Sequence, residues 1–161
     1  HRELHSFPTR RSSDLGNSTD QIYVIDEPTE QIEKVYNLKG TKGAISIAYA
    51  PEEKLLFVVS QSTDNLQILD ATDGKLKADV KVGAGPLAVV WEPVRKLAYV
   101  ANRGSDSVAV VDVNGNLVAN LPGGSYANHV FTDGKGTVWS VNKARGENDP
   151  QGDHISRYAA K

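Results

Sequence analysis

The chain has 161 residues, of which 39% are hydrophobic and 24% are charged, and its formal net charge is −2. These values are typical of one globular domain and exclude the strongly basic character of an avid nucleic-acid binder. Cysteine is absent, which excludes disulfides and thiolate metal sites. No segment approaches the roughly 18 apolar residues of a membrane span, so none is predicted. Because methionine is also absent and the first residue is His1, we expect the sequence to begin inside a longer reading frame.

Residues 1–15 show neither a helical nor a strand periodicity of apolar residues. They also lack the apolar stretch of a signal peptide. The sequence HSFPTRRSSDL at residues 5–15 resembles one translated frame of a short-read sequencing adapter. We therefore interpret residues 1–15 as a non-native, adapter-derived or disordered segment, with a native basic arm as the alternative.

The remaining chain contains an internal repeat. Residues 44–70 align with residues 86–112 without a gap, at an offset of 42. A third copy at residues 131–142 follows at an offset of 40, and a half copy at residues 20–26 precedes the others at an offset of 44. A repeat period of this length is typical of solenoids and propellers, so the repeat decides the fold prediction.

Each repeat divides into four short apolar runs separated by Gly, Pro, Asn and Asp. Four strands in about 42 residues are typical of one blade of a β-propeller. We therefore predict an all-β fold, with a β-propeller of about three and a half four-stranded blades in residues 16–161. The predicted units are a half blade at 20–38, blades at 44–82 and 86–121, and a three-stranded last blade at 126–159. Because a ring needs about four to eight blades, we expect the chain to be the C-terminal part of a larger ring.

The tetrapeptide Tyr99-Val100-Ala101-Asn102 resembles the signature of the YVTN propeller repeat, and FVVS at 57–60 and WSVN at 139–142 are looser copies. The order of the repeats and the long insertion at 143–156 are similar to the C-terminal half of YncE-like proteins. This resemblance implies a seven-bladed ring whose N-terminal blades are missing here, and a periplasmic or secreted location. It implies no assigned catalysis, and DNA binding is among the functions it suggests. One departure is the segment SYANH at 125–129, where many YVTN units have a proline.

Aspartates recur at fixed positions of the repeat. Asp26, Asp70 and Asp112 end the third strand of a blade, and Asp64 and Asp106 begin it. Because a carboxylate that recurs in every unit is better explained by turn formation than by catalysis, we predict that these residues accept backbone hydrogen bonds.

No catalytic motif, phosphate-binding loop or metal-ligand spacing is present. His129 and His154 lie near the acidic residues Glu147, Asp149 and Asp153, but their spacing matches no metal site. We therefore predict no catalytic residue, no metal and no cofactor.

The candidate ligand-binding residues come from the expected loop positions. In propellers, the loops between the second and third strands and the connections between blades open on one face around the channel mouth. The candidates there are Arg103, Tyr126, Asn128, His129, Lys143 and Arg145. Three cations beside a tyrosine favour a phosphate or carboxylate ligand, or a stacked single strand of DNA. The alternative is a solvated loop face whose acidic residues partly neutralise it.

The sequence thus favours a non-enzymatic binding scaffold for a peptide, protein or small ligand. Two alternatives remain open, a DNA-binding propeller and a fragment of a lactonase-like or quinoprotein-like enzyme. An enzyme would need acids or histidines from several blades in the channel, and the visible blades supply only His129.

Overall fold

The computed structural model describes residues 11–16 and 20–159, which form strands and turns without any helix. This part of the chain therefore contains no helix long and apolar enough to cross a membrane. The strands are β1 (Arg11–Gly16), β2 (Gln21–Asp26), β3 (Gln31–Asn37), β4 (Ala44–Ala50), β5 (Leu55–Ser60), β6 (Asn65–Asp70), β7 (Leu76–Lys81), β8 (Pro86–Glu92), β9 (Leu97–Asn102), β10 (Ser107–Asp112), β11 (Leu117–Pro122), β12 (Ala127–Thr132), β13 (Thr137–Asn142) and β14 (Ile155–Ala159).

The strands form four antiparallel sheets, in which each strand pairs with the one before it along the chain. We name them sheet 1 (β1–β3), sheet 2 (β4–β7), sheet 3 (β8–β11) and sheet 4 (β12–β14). Contacts between sheets follow chain order, since β1 contacts β4, β4 contacts β8 and β8 contacts β12. Within the described residues the series does not close into a ring. The predicted all-β fold of propeller blades is confirmed.

Sheet 1 begins with a strand that the sequence did not predict. β1 lies antiparallel to β2, with Arg11 opposite Asp26 and Gly16 opposite Gln21. A sheet ladder is made by backbone groups, so a segment without apolar alternation can still occupy a sheet edge. Residues 1–10 lie outside the described residues, and the adapter origin of residues 5–15 stays a prediction.

Apolar clusters fill the spaces between neighbouring sheets. The side chains of β5 are all buried because they serve two of these clusters. Leu56 and Val58 point into the cluster shared with sheet 1, whereas Phe57 and Val59 point into the cluster shared with sheet 3. Alternate side chains of a strand lie on opposite faces. The continuous apolar run of β5 is therefore explained by burial of both faces of sheet 2.

An aspartate in front of β2, β6 or β10 ties its sheet to the next one. These residues are Asp20, Asp64 and Asp106, with φ angles of 50°, 54° and 54°, in the left-handed region where Asp is enriched. Their Oδ1 atoms accept hydrogen bonds from backbone N–H groups that precede the next sheet. The donors are Gly43, Gly85 and Tyr126, at 2.9, 2.8 and 2.8 Å. The structural role predicted for Asp64 and Asp106 is confirmed, and it is a contact between sheets.

The aspartates that end β6 and β10 fix the turns that follow them, as predicted. The backbone N–H of Thr72 donates to Asp70 Oδ1 at 2.9 Å, and the Thr72 hydroxyl donates to the same oxygen. Asp112 Oδ1 accepts from the backbone N–H groups of Asn114 and Asn116, at 2.8 and 2.9 Å. The hydroxyl of Thr72, followed by its N–H and by Lys77, lowers the pKa of Asp70 from 3.8 to about 2.

Replacing Thr72 with alanine is expected to raise the pKa of Asp70 from about 2 toward its ordinary value of 3.8, because the hydroxyl is the largest cause of the shift. Since the folded pKa is lowered, the stabilising effect of the ionised carboxylate is present above the unfolded pKa and is lost as the pH falls through about 2. Carboxyl-carbon NMR during an acid titration measures the pKa of Asp70 in the wild type and in the variant. The pKa of Asp112, which burial raises but hydrogen bonds from Asn116 lower overall, should not move and serves as the internal control.

Candidate functional site

The loops that carry Arg103, Tyr126, Lys143 and Arg145 lie at the same end of the sheets. The turn after β9 is fixed to the connection before β8, since the N–H of Arg103 donates to the carbonyl oxygen of Gly85 at 3.0 Å. The loop after β13 is fixed in the same way, because the N–H of Lys143 donates to the carbonyl oxygen of Ser125 at 3.0 Å. The backbone thus holds both loops beside the connections between sheets, where Asp106 in turn binds the N–H of Tyr126.

Two arginines contact the same aromatic ring at this face. The guanidinium carbons of Arg103 and Arg145 each lie 4.7 Å from the centre of the Tyr126 ring. A cation over an aromatic face is attracted by the ring quadrupole, by about 0.5–1 kcal/mol at exposed sites. We call this group the Arg103–Tyr126–Arg145 cluster. The cluster joins the turn after β9 in sheet 3 to the connection between sheets 3 and 4 and to the long loop after β13.

The two arginines differ in their charge partners. Arg145 Nη2 donates to Asp106 Oδ2 at 2.6 Å, which neutralises one charge. The Arg145 N–H also donates to Asp149 at 2.9 Å, and this bond is the largest cause that lowers the pKa of Asp149. The Arg103 side chain is exposed, and within the described part of the chain its guanidinium contacts the Tyr126 ring and has no hydrogen-bond acceptor. Its hydrogen-bond donors are therefore directed to solvent or to a ligand.

Tyr126 occupies an unusual backbone conformation. Its φ angle is 48°, and the corresponding residues before sheets 2 and 3 are Gly43 and Gly85, with φ angles of 70° and 58°. A bulky residue with positive φ is an outlier that costs about 1 kcal/mol or more relative to glycine. The third connection thus replaces a glycine with a strained tyrosine, and the ring of this tyrosine is the one that both arginines contact.

The loop between β13 and β14 is folded on itself. The N–H of Ala144 donates to Asp153 Oδ1 at 3.2 Å, and the N–H of Gly152 donates to the carbonyl oxygen of Asp149 at 3.2 Å. A Cβ atom on Gly152 would lie 2.3 Å from Ala144 Cα, so this close approach requires glycine. These contacts hold Lys143 and Arg145 at the start of the loop near Tyr126.

The other predicted binding residues lie apart from the cluster. Asn128 Nδ2 and His129 Nδ1 are 2.9 Å from each other. His129 lies opposite Val141 in the ladder of sheet 4 and is exposed. His154 donates its backbone N–H to Asn142 Oδ1 at 2.8 Å, and its ring Nε2 lies 3.1 Å from the carbonyl oxygen of Pro150. The structure therefore brings together Arg103, Tyr126 and Arg145, with Lys143 next to them, and leaves Asn128 and His129 on β12.

The described residues contain no group of three or more His, Asp or Glu side chains that could hold a metal ion. Sequence reasoning missed one member of the site. Asp106 was interpreted as a turn residue, and it also pairs with Arg145, which is 39 positions away. Because the two residues belong to different repeats, only the packing of sheet 3 against sheet 4 brings them together.

Two solved structures of known proteins resemble this fold. A chain of hydrazine synthase from Kuenenia stuttgartiensis matches with a TM-score of 0.74 and 19% identity, covering 81% of this chain and 38% of that one. A chain of the mitotic checkpoint complex matches with a TM-score of 0.74 and 14% identity, covering 94% of this chain and 46% of that one. The chain thus spans less than half the length of either protein, and the likeness concerns the fold alone. No protein-family model and no curated protein matches the sequence.

Proposed function

We propose that this chain is part of a YncE-like propeller of the YVTN type, exported from the cell, that binds an anionic group of a peptide or protein partner. The Arg103–Tyr126–Arg145 cluster provides the binding site. The observation that carries the proposal is the exposed Arg103 guanidinium, held against Tyr126 at 4.7 Å while Arg145 is already paired with Asp106. A planar guanidinium with available donors binds carboxylate or phosphate with two parallel hydrogen bonds.

The electrostatics of the loop face support an anionic ligand. Lys143 is exposed, and its backbone lies against Ser125 and Tyr126, so its charge adds to that of Arg103. Asp106 offsets only the charge of Arg145, and the carboxylate of Asp149 accepts backbone N–H groups of its own loop. The Arg103 guanidinium, which has no carboxylate partner among the described residues, is therefore the positive charge of this loop face that an anionic ligand can pair with.

A protein partner is supported by the fold and by one neighbour. Propellers present rigid loops on a stiff scaffold, and such loops commonly carry binding residues. One structure of similar fold is a chain of the mitotic checkpoint complex, which is an assembly of proteins. An acidic side chain of a partner protein is the ligand that best fits a single available arginine beside a tyrosine.

The test uses a tetraglutamate peptide and inorganic phosphate as probes, with binding followed by the backbone amide NMR signals of Tyr126 and Lys143. Arg103→Gln is expected to weaken binding of the probe about tenfold, which corresponds to the loss of one charge-assisted contact of about 1.4 kcal/mol. Arg157→Gln is the matched control, because Arg157 is also exposed but lies on β14 opposite Trp139. Equal weakening by both variants, or no saturable binding of either probe, contradicts the proposal.

Tyr126→Gly separates binding from stability in the same experiment. Glycine relieves the positive φ of 48°, so the free energy of unfolding should be unchanged or raised by about 1 kcal/mol. Binding of the probes should still weaken, because Arg103 loses the ring that holds it.

Single-stranded DNA is the alternative ligand, since bases stack on tyrosine and phosphates pair with arginine. A thymidine oligonucleotide serves as the probe. Tight binding that falls steeply between roughly 50 and 200 mM salt, and that disappears when Arg103, Lys143 and Arg145 are all changed to Glu, would favour DNA over the peptide proposal.

A further inference from the structure

A cavity of about 330 Å³ lies between sheets 1 and 2. One wall comes from the end of β3 and the residues after it, and the other comes from β6 and from the turn that leads into β7. Cavities of roughly 300–1,000 Å³ are typical of small-molecule sites. Both walls are supplied by the described chain itself, so no further sheet is needed to form this cavity.

Gln67 is a buried polar side chain of the cavity wall, with an exposed fraction of 1%. Its Nε2 donates to the carbonyl oxygen of Lys39 at 2.8 Å and to Asp79 Oδ2 at 2.9 Å. Because both partners are acceptors, the orientation of the amide is fixed and Oε1 is left as an acceptor. Among the described residues no donor reaches Oε1, and this oxygen is not sealed from solvent. A ligand that donates a hydrogen bond in the cavity would therefore satisfy it.

Neither Gln67 nor Lys39 recurs in the next repeat. Ala109 stands at the position of Gln67 at an offset of 42, and Gly83 stands at the position of Lys39 at an offset of 44. The aspartates that tie the sheets together recur because the fold needs them in each repeat. The glutamine and the lysine are not needed to pack one sheet on the next, which favours a role in binding.

Lys39 supplies a positive charge to the cavity wall. Its side chain is exposed, and the described chain offers it no carboxylate partner. Lys75 also lines the cavity but pairs with Asp73 at 2.8 Å, so these two charges offset each other. The carboxylate of Asp79 does not line the cavity and is held by Gln67. The wall therefore carries one net positive charge, which favours an anionic group.

Two leucines form the apolar part of the wall. Leu69 and Leu76 lie opposite each other in the ladder of sheet 2, with exposed fractions of 2% and 50%. An aliphatic group placed against them is removed from water, which is favourable. The cavity thus offers one available cation, one available acceptor and one apolar surface.

We propose that this cavity binds a small aliphatic carboxylic acid with an N–H donor next to its carboxylate, which is the chemistry of an N-acylated aliphatic amino acid. The carboxylate pairs with Lys39, the N–H donates to Gln67 Oε1, and the aliphatic side chain contacts Leu69 and Leu76. The C-terminal residue of a peptide presents the same three groups. The cavity is separate from the Arg103–Tyr126–Arg145 cluster, so the inference does not rest on the proposed function.

The test titrates the 161-residue chain with N-acetyl-leucine and follows the side-chain amide NMR signals of Asn37 and Gln67, which both line the cavity. Isocaproate keeps the carboxylate and the aliphatic group but has no N–H, and N-acetyl-leucinamide has no carboxylate. Each of these two probes is expected to bind about tenfold more weakly than N-acetyl-leucine, which corresponds to the loss of one contact of about 1.4 kcal/mol. An alanine peptide that ends in leucine distinguishes the two sources, since it binds more tightly than N-acetyl-leucine only if the site takes a peptide terminus.

Lys39→Gln is expected to weaken binding of N-acetyl-leucine about tenfold, because the carboxylate loses its cation. Lys42→Gln is the matched control, since Lys42 is also exposed in the connection between sheets 1 and 2 but does not line the cavity. Arg103→Gln should likewise leave this binding unchanged.

Gln67→Ala introduces the residue that sheet 3 has at this position. It should weaken binding of N-acetyl-leucine but not of isocaproate, because only the first probe has an N–H to donate. Circular dichroism and urea unfolding show whether this variant keeps its fold, and the comparison of probes on the wild-type chain does not depend on it.

Three results overturn the proposal. The first is the absence of saturable binding of N-acetyl-leucine. The second is binding of N-acetyl-leucinamide or isocaproate as tight as that of N-acetyl-leucine. The third is equal weakening by Lys39→Gln and Lys42→Gln, which would mean that the probe responds to the overall charge of the chain and not to this cavity.

Discussion

Phe57→Ala is expected to lower the free energy of unfolding by about 3–5 kcal/mol, the range typical of a buried Phe replaced by Ala. Phe57 is fully buried between sheets 2 and 3, and its ring stacks on Trp91 with centres 5.1 Å apart and planes 16° apart. The variant removes both the burial of the ring and the stacking partner of Trp91. Because neighbouring sheets fill the space on both sides, the cavity has little room to collapse.

Phe131→Ala is the matched control for this prediction. The two residues are the same type and both lie on strands, but Phe131, on β12, is 66% exposed. Its replacement should change the free energy of unfolding by less than about 1 kcal/mol. Urea unfolding followed by tryptophan fluorescence, at a concentration where the chain is monomeric, measures both values. Equal losses for the two variants would mean that sheets 2 and 3 are not packed through Phe57.

The repeat predicted most of the fold because both levels of structure follow the same residues. Burial of both faces makes strands such as β5 and β9 apolar over almost their whole length, and turns with Asp or Gly separate them at constant spacing. A gapless offset of 42 residues then identifies the four-stranded unit without any knowledge of long-range contacts. The strand β1 was not predicted, because pairing at a sheet edge depends on backbone hydrogen bonds, which carry no side-chain pattern.

The candidate site was predicted only in part, for a similar reason. Loop positions alone suggested Arg103, Tyr126 and Arg145, because turns between the strands of a blade open on one face. The sequence could not show that Asp106 neutralises Arg145 rather than Arg103, since this depends on side-chain positions across two sheets. The exposure of Phe131 could not be predicted either. By sequence offset Phe131 corresponds to the buried Trp91, but the hairpin of β12 and β13 is one residue shorter than that of β8 and β9, which turns the Phe131 side chain to the other face. A signal was available at Tyr126, which stands where the first two connections have glycine.

Asp64→Ala is expected to cost about 2–3 kcal/mol, because it removes a charge-assisted hydrogen bond between sheets and leaves the N–H of Gly85 without its acceptor. Alanine at a φ angle of 54° adds backbone strain of about 1 kcal/mol. Asp64→Asn should lose less than about 1 kcal/mol, since asparagine keeps an acceptor oxygen and tolerates positive φ.

Asp153→Ala separates the strain from the contact between sheets. Asp153 has nearly the same φ angle, 53°, but its carboxylate accepts at 3.2 Å from Ala144 within its own loop. Both variants introduce the same strain, so the difference between their free energies of unfolding measures the contact between sheets 2 and 3. We expect Asp153→Ala to lower the free energy of unfolding by about 1 kcal/mol in total, because it adds the backbone strain and removes only a weak surface hydrogen bond. If urea unfolding gives equal losses for the two alanine variants, the carboxylate of Asp64 acts on its own turn, and the sheets are held together by apolar packing alone.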